Sequence, residues 1–344
     1  MKRRAFLGSA LAGAAALAAR GSRHTASTTA FAAAGLPAPV KAPRLKSGDL
    51  VGLINPSCSP VRPGDIEGAS FALKRLGLRV RAAPHLADPS ASDVERAADI
   101  NQFFAAPSIR ALLPVRGGWG CARLLAHLDY PLIARRPKVV MGYSDVSALL
   151  LALSARSGLV TFHGPMGISS WEPYTRAQAT RVLFDAEAAL LENPPLRGNT
   201  EEPVRTLRGG RARGRLWGGN LTVLTSLLGS PYVAGDDPIV LMLEEVREPA
   251  SEIDRMMSQL ELAGVLARAR AVVFGQLPGC VPPRMAPDLT VDRVLEQQVA
   301  ELGVPSWRGA QFGHVERQLT LPLGLPVEVD ADRGTIRLLE RAVA

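Results

Sequence analysis

The chain has 344 residues, of which 47% are hydrophobic and 21% charged, an ordinary globular composition with ample material for a core. This length favours two domains or one large α/β domain. Forty Lys and Arg residues against 32 Asp and Glu give a formal net charge of +8, but five of these eight excess charges lie within residues 1–34, which contain no acid. Removal of that segment would leave +3, so the charge does not indicate a nucleic-acid partner.

The N-terminal segment, residues 1–34, has the pattern of an export signal. Basic residues within Lys2–Leu7 precede an apolar run, Gly8–Ala19, that is too short and too rich in alanine for a membrane-spanning helix. The paired arginines followed by Phe-Leu resemble the twin-arginine signal that the export machinery reads, and Ala-x-Ala cleavage motifs end the segment. We therefore expect twin-arginine export of a periplasmic or secreted protein, with residues 35–46 as a flexible lead-in.

Short apolar runs alternate with helical patterns from residue 47 to residue 191. The predicted strands are 49–54, 78–82, 111–115, 138–141 and 159–162, and the predicted helices are 65–76, 92–104, 122–127, 146–155 and 176–191. This alternation is typical of a parallel sheet covered by helices on both faces. The predicted fold class is therefore α/β, with a flavodoxin-like domain over residues 47–191 that binds its ligand at the carboxyl ends of the strands.

The second half of the chain has a different pattern. Residues 192–211 are the predicted linker, because they begin with a stretch rich in Pro, Asn, Gly and Glu. Predicted strands then cover 213–216, 238–244, 271–274, 318–321, 326–329 and 335–339, and predicted helices cover 221–228, 251–263 and 291–302. Residues 212–344 are therefore predicted to form a smaller, more β-rich α/β domain.

The cysteines give little support for a metal or redox site. Cys58, Cys121 and Cys280 have no C-x-x-C spacing, so neither a zinc site nor a dithiol centre is predicted. An exported protein could join two of them, but a core of this size does not need a disulfide. Buried free thiols are the favoured interpretation, and a disulfide stays open.

The junction Gly142-Tyr143-Ser144-Asp145 is the most informative one for chemistry. A predicted strand runs into Gly-x-Ser and directly into a helix, which is the context of a nucleophile elbow. Val146 stands where the G-x-S-x-G pattern has its last glycine, so the pattern is incomplete. Ser144 is thus either a nucleophile or part of a helix N-cap.

A second junction, Arg116–Gly120, contains three glycines after a predicted strand. Its spacing fits neither G-x-G-x-x-G nor the phosphate loop, so nucleotide binding is disfavoured and no cofactor is predicted. The glycines either let a backbone amide reach an oxyanion or form a tight turn with positive φ.

A serine nucleophile needs a base and an orienting acid. Among the histidines after the signal, His127 lies in a helical apolar pattern and His85 in a Pro-rich turn, whereas His163 and His314 both compete as the base. The buried strand over 238–243 delivers Glu244 and Glu245 at its carboxyl end, where a charge pair is either solvated or catalytic.

Several segments together resemble the LD-carboxypeptidase family of serine peptidases, which also includes the microcin C self-immunity peptidases. The matching segments occur in family order and are 115–125, 142–145, 163–166, 214–221, 243–245, 313–314 and 319–324. The resemblance as a whole extends from about Gly48 to Leu339, which is nearly the whole chain after the signal. The resemblance implies two domains with the active site in the cleft where they meet.

The resemblance also implies roles for particular residues. Ser144 would be the nucleophile, His314 the base and Glu244 the orienting acid. The amides of Asp145 and Gly118 would form the oxyanion hole, which leaves His163 a structural or pocket-lining role. The substrate-binding residues implied by the matching segments are Arg116, Gly117, Trp119, Trp217 and Asn220. Trp119 stands where the family more often has Tyr, and Glu245 where it more often has Asp.

The reaction implied by the resemblance is release of the terminal D-alanine from a muropeptide tetrapeptide, without a metal. Arg116 is a candidate for the substrate's terminal carboxylate, and the family resemblance implies a homodimer. The alternatives are a hydrolase of another amide or ester, such as an aminoacyl-nucleotide, and a non-catalytic periplasmic binding protein in which Ser144 merely caps a helix. The export signal favours a cell-wall substrate, because peptidoglycan lies outside the membrane.

Overall fold

A computed structural model of the protein describes residues 35–197, 201–233, 235 and 237–344. The predicted export signal, residues 1–34, lies outside the described residues. No helix in the described part of the chain is long and apolar enough to cross a membrane.

The first half of the described chain alternates strands and helices, as predicted. In order these are β1 (Leu50–Ile54), α1 (Pro63–Lys74), β2 (Arg79–Ala82), α2 (Asp93–Ala105), β3 (Ile109–Pro114), α3 (Cys121–Leu124), α4 (Tyr130–Arg135), β4 (Val139–Gly142), α5 (Ser147–Ser157), β5 (Thr161–His163), α6 (Pro173–Leu183) and β6 (Leu190–Leu191). The second half contains β7 (Arg205–Arg208), β8 (Arg211–Asn220), α7 (Leu221–Ser226), β9 (Ile239–Glu244), α8 (Ala250–Leu262), β10 (Ala269–Gly275), α9 (Val291–Leu302), β11 (Ser306–Ala310), β12 (Leu321–Leu323), β13 (Pro326–Asp330) and β14 (Thr335–Leu338).

The first sheet has six strands in the order β12-β5-β4-β3-β1-β2. All neighbouring pairs from β5 to β2 are parallel, which confirms the α/β prediction for this half of the chain. The edge strand β12 comes from the predicted C-terminal domain and pairs antiparallel with β5, with Leu321 opposite His163. Because β12 belongs to the first sheet, the boundary between the sheets does not follow the predicted domain boundary.

The second sheet has eight strands in the order β6-β14-β13-β8-β9-β10-β11-β7. Its centre, β8 to β11, is parallel, and antiparallel pairs flank it on both sides. Some of its strands lie where none was predicted: β7 pairs with β11 from within the predicted linker, β11 itself follows α9, and β6 lies in the predicted helix 176–191. That helix ends at Leu183, and Ala186 then has a φ of 53°.

The segment 35–46 is packed onto the protein, contrary to the predicted flexible lead-in. Leu36, Ala42 and Leu45 are buried, and Val40 forms a parallel bridge with Leu159. The guanidinium of Arg215 donates to the carbonyl oxygens at positions 36 and 37, at 2.9 and 2.8 Å. The Pro/Ala-rich composition resembled that of a linker, but its few apolar side chains suffice to anchor it.

The two sheets approach each other where α5 begins and β8 ends. The Asn220 amide donates to Ser147 Oγ at 3.1 Å, and a Cβ at Gly219 would lie only 2.7 Å from the same oxygen. Glycine at 219 (φ 150°) therefore permits this close approach. It brings the carboxyl end of β9 next to the carboxyl end of β4.

Candidate active site

Ser144 lies on a strained turn between a strand and a helix. β4 ends at Gly142, a single 3₁₀ turn covers Ser144–Val146, and α5 follows at once. Ser144 has a φ of 62°, a left-handed conformation that is unusual for a residue with a side chain. Ser144 is the N-cap of neither helical element, because Tyr143 and Val146 occupy those positions. The geometry is therefore that of a nucleophile elbow, although the sequence lacks the last glycine of the pattern.

A hydrogen-bonded chain connects Ser144 to a histidine and a carboxylate. His314 Nε2 lies 3.1 Å from Ser144 Oγ, and His314 Nδ1 lies 2.8 Å from Glu244 Oε2. An ionised carboxylate only accepts, so Nδ1–H donates to Glu244 and Nε2 accepts from the serine hydroxyl. Gly313 (φ 92°) precedes His314, and a Cβ there would lie 2.5 Å from Glu244 Oε2.

The electrostatics of the pair suit a base supported by an ionised acid. Burial by itself would raise the pKa of the Glu244 carboxyl, but His163 and His314 outweigh it and lower the pKa to about 2. Burial by itself would lower the pKa of His314, but its hydrogen bond to Glu244 and the charge of that carboxylate raise it above 6.5. Glu244 is therefore held ionised, and its charge stabilises the imidazolium that forms when His314 takes up a proton.

His163 lies near the second carboxylate oxygen of Glu244, the one that His314 does not contact. It is fully buried, and its Nε2 lies 3.9 Å from Glu244 Oε1. Its ring packs edge-on against Phe312 at a centroid distance of 5.5 Å, and neither ring nitrogen has a hydrogen-bond partner in the described part of the chain. Of the two predicted roles for His163, the structure favours the structural one.

The glycine loop after β3 lies beside the nucleophile. A Cβ at Gly117 would lie 3.1 Å from Ser144 Cβ, and one at Gly118 would lie 1.8 Å from Ser59 Oγ. Gly118 has a φ of 152°, and its N–H donates to no acceptor among the described residues. This amide is thus free to donate a hydrogen bond to a bound group.

Asp145 fastens the elbow to its surroundings through its side chain. Its carboxylate accepts from Ser57 Oγ at 2.6 Å and from the Cys121 amide at 3.1 Å. Burial raises the pKa of this carboxyl, although these hydrogen bonds oppose the shift. The side chain thereby ties the loop after β1, α3 and the elbow together and fixes the backbone that carries the predicted oxyanion amide.

A cavity of about 750 Å³ opens in front of Ser144 and His314. Three predicted residues line it, namely Arg116, Gly117 and Gly118. The remaining lining residues were not predicted as substrate contacts and are Tyr143, Met166, Ile168, Val246, Arg247, Pro278 and Gly279. Most of these lie on loops that follow the carboxyl ends of parallel strands. Their location directly after predicted strands was the one feature of the sequence that could have indicated them as cavity residues.

The structure places three of the predicted substrate contacts away from the cavity lining. Trp217 is fully buried in β8 and belongs to the core. Asn220 caps α7 by accepting from the Val223 amide at 3.1 Å, and it donates to Glu245 at 3.1 Å. Trp119 is 60% exposed and does not line the cavity. Trp217 and Asn220 thus contribute to core packing and to hydrogen bonds at the end of β8, and neither lines the cavity.

The thiols and other metal-binding side chains are dispersed. Cys58, Cys121 and Cys280 are free, as favoured by the sequence, and Cys121 alone is fully buried. Within the described ranges, no group of three or more His, Cys, Asp or Glu side chains could hold a metal ion.

A Ser-His-Glu chain on an elbow, with amides beside it and a cavity in front, is the arrangement used by serine hydrolases. Comparison with known proteins narrows this class. A family model of the LD-carboxypeptidase N-terminal domain matches residues 51–164, and one of the C-terminal domain matches residues 213–329. The chain therefore belongs to the LD-carboxypeptidase family and is a serine-type carboxypeptidase.

Individual relatives agree with this assignment. A probable murein peptide carboxypeptidase of Bacillus subtilis is 34% identical over 300 residues, covering 85% of this chain and 92% of that protein. The solved structure of MccF, a microcin C7 self-immunity protein of Escherichia coli, in complex with glutamyl sulfamoyl guanosine has a TM-score of 0.79 at 26% identity. It covers 89% of this chain and all of that one. A muramoyltetrapeptide carboxypeptidase from Oxalobacter formigenes has a TM-score of 0.71 at 25% identity, covering 84% and 97%.

Proposed function

We propose that the protein releases the terminal D-alanine from peptidoglycan tetrapeptides and leaves the tripeptide. The observation that carries this proposal is the hydrogen-bonded chain from Ser144 through His314 to the buried Glu244 at the mouth of a cavity. The similarity to proteins named murein peptide carboxypeptidase and muramoyltetrapeptide carboxypeptidase supports the choice of substrate.

In the proposed mechanism, Ser144 Oγ attacks the carbonyl carbon of the diamino acid residue while His314 Nε2 takes the hydroxyl proton. The amides of Gly118 and Asp145 donate to the oxyanion of the tetrahedral intermediate, each contributing roughly 3 kcal/mol of barrier reduction. The intermediate collapses when the C–N bond breaks and His314 returns its proton to the amine of the departing D-alanine. Water, deprotonated by His314, then hydrolyses the acyl-enzyme and restores the Ser144 hydroxyl.

We further propose that the reaction takes place outside the cytoplasmic membrane. The support for this location is the twin-arginine pattern within residues 1–34, together with the peptidoglycan substrate. The homodimer implied by the family resemblance stays a prediction.

A second candidate is hydrolysis of an aminoacyl-nucleotide analogue. It is favoured by the fold similarity to MccF, whose structure was solved with glutamyl sulfamoyl guanosine. Such a substrate also presents a carbonyl to the serine, so the same Ser144 would serve both reactions. The predicted export argues for the cell-wall substrate, because an aminoacyl-nucleotide is made in the cytoplasm.

One experiment tests both candidates. Purified protein, Ser144→Ala and the control Ser70→Ala on α1 are each incubated with disaccharide tetrapeptide and with glutamyl sulfamoyl guanosine, and the products are identified by mass spectrometry. We expect D-alanine release by the wild type and by Ser70→Ala, and none by Ser144→Ala. Release of D-alanine by Ser144→Ala would refute the assignment of Ser144 as the nucleophile. Cleavage of glutamyl sulfamoyl guanosine without release of D-alanine would establish the second candidate.

A further inference from the structure

The described residues that line the cavity carry two arginines, Arg116 and Arg247, and no carboxylate. Both acids at the end of β9 point elsewhere, since Glu244 faces His314 and Glu245 accepts from the Thr222 amide at 2.8 Å and from the Val246 amide at 2.9 Å. A cavity with cationic and no acidic lining is suited to a substrate that carries a negative charge near the reacting bond.

The backbone of Arg247 is held in an unusual conformation by the neighbouring loop. Its φ is 61°, and its amide donates to the Pro278 carbonyl at 3.0 Å. Gly279 (φ 72°) leaves room for the arginine stem, because a Cβ at that position would lie 3.1 Å from Arg247 Cγ. A second hydrogen bond joins the same two segments, since the Ala250 amide donates to the Val281 carbonyl at 2.9 Å. The loops after β9 and β10 thus form one wall that fixes the backbone position of Arg247.

The guanidinium of Arg247 has no hydrogen-bond or ion-pair partner within the described part of the chain. That of Arg116 already donates through Nη1 to the Pro60 carbonyl at 3.1 Å. The positive charge of Arg247 also acts to lower the pKa of His314, so it lies within electrostatic range of the proposed base. A free cation on a fixed backbone next to the reacting groups is a ready partner for an anion.

We infer that Arg247 binds the terminal carboxylate of the substrate and thereby restricts cleavage to the last residue of the peptide. This inference rests on the proposed carboxypeptidase function. It names Arg247 as the residue that makes the enzyme an exopeptidase. The leaving residue carries its carboxylate one residue beyond the attacked carbonyl, about 3.8 Å along the chain. The cation that recognises it must therefore line the same cavity as Ser144 and His314, and a guanidinium can bind both oxygens of the carboxylate.

The test compares two substrates that differ only at the terminal group: the muropeptide tetrapeptide and its C-terminal D-alaninamide. The enzymes are the wild type, Arg247→Met, Arg247→Gly and the control Arg293→Met, which removes an equal charge from α9. Arg247→Gly serves as a second variant because glycine adopts the left-handed conformation without strain, so its fold is secure. Thermal unfolding of each variant is measured alongside kcat/KM.

We expect both Arg247 variants to lose about 10- to 100-fold in kcat/KM on the free acid and less than about threefold on the amide, as for loss of a hydrogen bond to a charged group. Arg293→Met should match the wild type on both substrates. An equal loss on the acid and the amide would mean that Arg247 only supports the loop. No loss on the acid would mean that Arg247 does not bind the carboxylate. Either result would overturn this inference and leave the proposed function intact. Failure of the wild type to release D-alanine would overturn the proposed function and this inference with it.

Discussion

The left-handed conformation of Ser144 makes a prediction about stability that is independent of substrate. At this position we expect Ser144→Gly to be more stable than Ser144→Ala. Both substitutions remove the same hydroxyl and the same 3.1 Å contact with His314 Nε2, so these losses cancel in the comparison. What remains is the difference between a residue with a Cβ and one without it at a φ of 62°.

The magnitude follows from two opposing backbone effects. A residue with a Cβ in the left-handed region costs roughly 1–2 kcal/mol, which glycine avoids. Glycine has the greater freedom in the unfolded chain, which costs it roughly 0.5–1 kcal/mol. The free energy of unfolding should therefore be about 0.5–1 kcal/mol higher for Ser144→Gly than for Ser144→Ala.

A matched pair in an ordinary helix provides the control. Ser70 lies within α1 and donates to the Ile66 carbonyl at 2.7 Å, so both of its substitutions also remove one hydroxyl contact. There the order should reverse, because glycine is about 0.8–1.0 kcal/mol less favourable than alanine inside a helix. Urea unfolding of the four variants, followed by circular dichroism, measures both differences. If alanine is the more stable residue at 144 as well as at 70, the elbow is not strained and the reasoning fails.

Three further predictions concern catalysis. Glu244→Gln should lower kcat by about 10⁴-fold, because the amide no longer holds the tautomer and charge of His314; a loss below tenfold would contradict its role. Because the pKa of His314 is raised, kcat/KM should decrease at acidic pH with an apparent pKa above 6.5. Glu244→Gln should shift this apparent pKa to a lower value. An apparent pKa at or below 6.5 in the wild type would contradict the reasoning. Gly118→Ala should lower kcat by about 10²–10³-fold, since its Cβ would collide with Ser59, whereas Gly64→Ala, with nothing within 4 Å, should keep wild-type activity.

The sequence indicated much of the fold because its signals were local. The βα alternation up to β5 required only short apolar runs and helical periods, and each of those strands was found within a few residues of its predicted bounds. Strands without such a pattern were missed. β7 reads Arg-Thr-Leu-Arg and β11 reads Ser-Trp-Arg-Gly-Ala, and neither shows alternation or a continuous apolar run. They are strands because neighbouring strands supply their hydrogen bonds.

The candidate site divides in the same way. The strand-to-helix junction is a local pattern and singled out Ser144 from the sequence, and the family motifs added His314 and Glu244. Trp217 shows the limit of such motifs. Its segment matched the family and suggested a substrate contact, whereas the side chain is buried in the core. Nothing in the sequence distinguished Arg247 from the other arginines, because its position in the cavity depends on the loop that contains Pro278 and Gly279.

The sequence by itself determined the class of fold, the nucleophile's turn and the order of the motifs, since these depend on residues that are neighbours along the chain. Only the tertiary structure decided that β12 completes the first sheet, that His163 lies beside Glu244 and that Arg247 borders the cavity. The physical reason is that hydrophobic patterns report how far a side chain is buried but not against which partner. Those partners come from segments far apart along the chain, as for Ser144 and His314, and only packing brings them together.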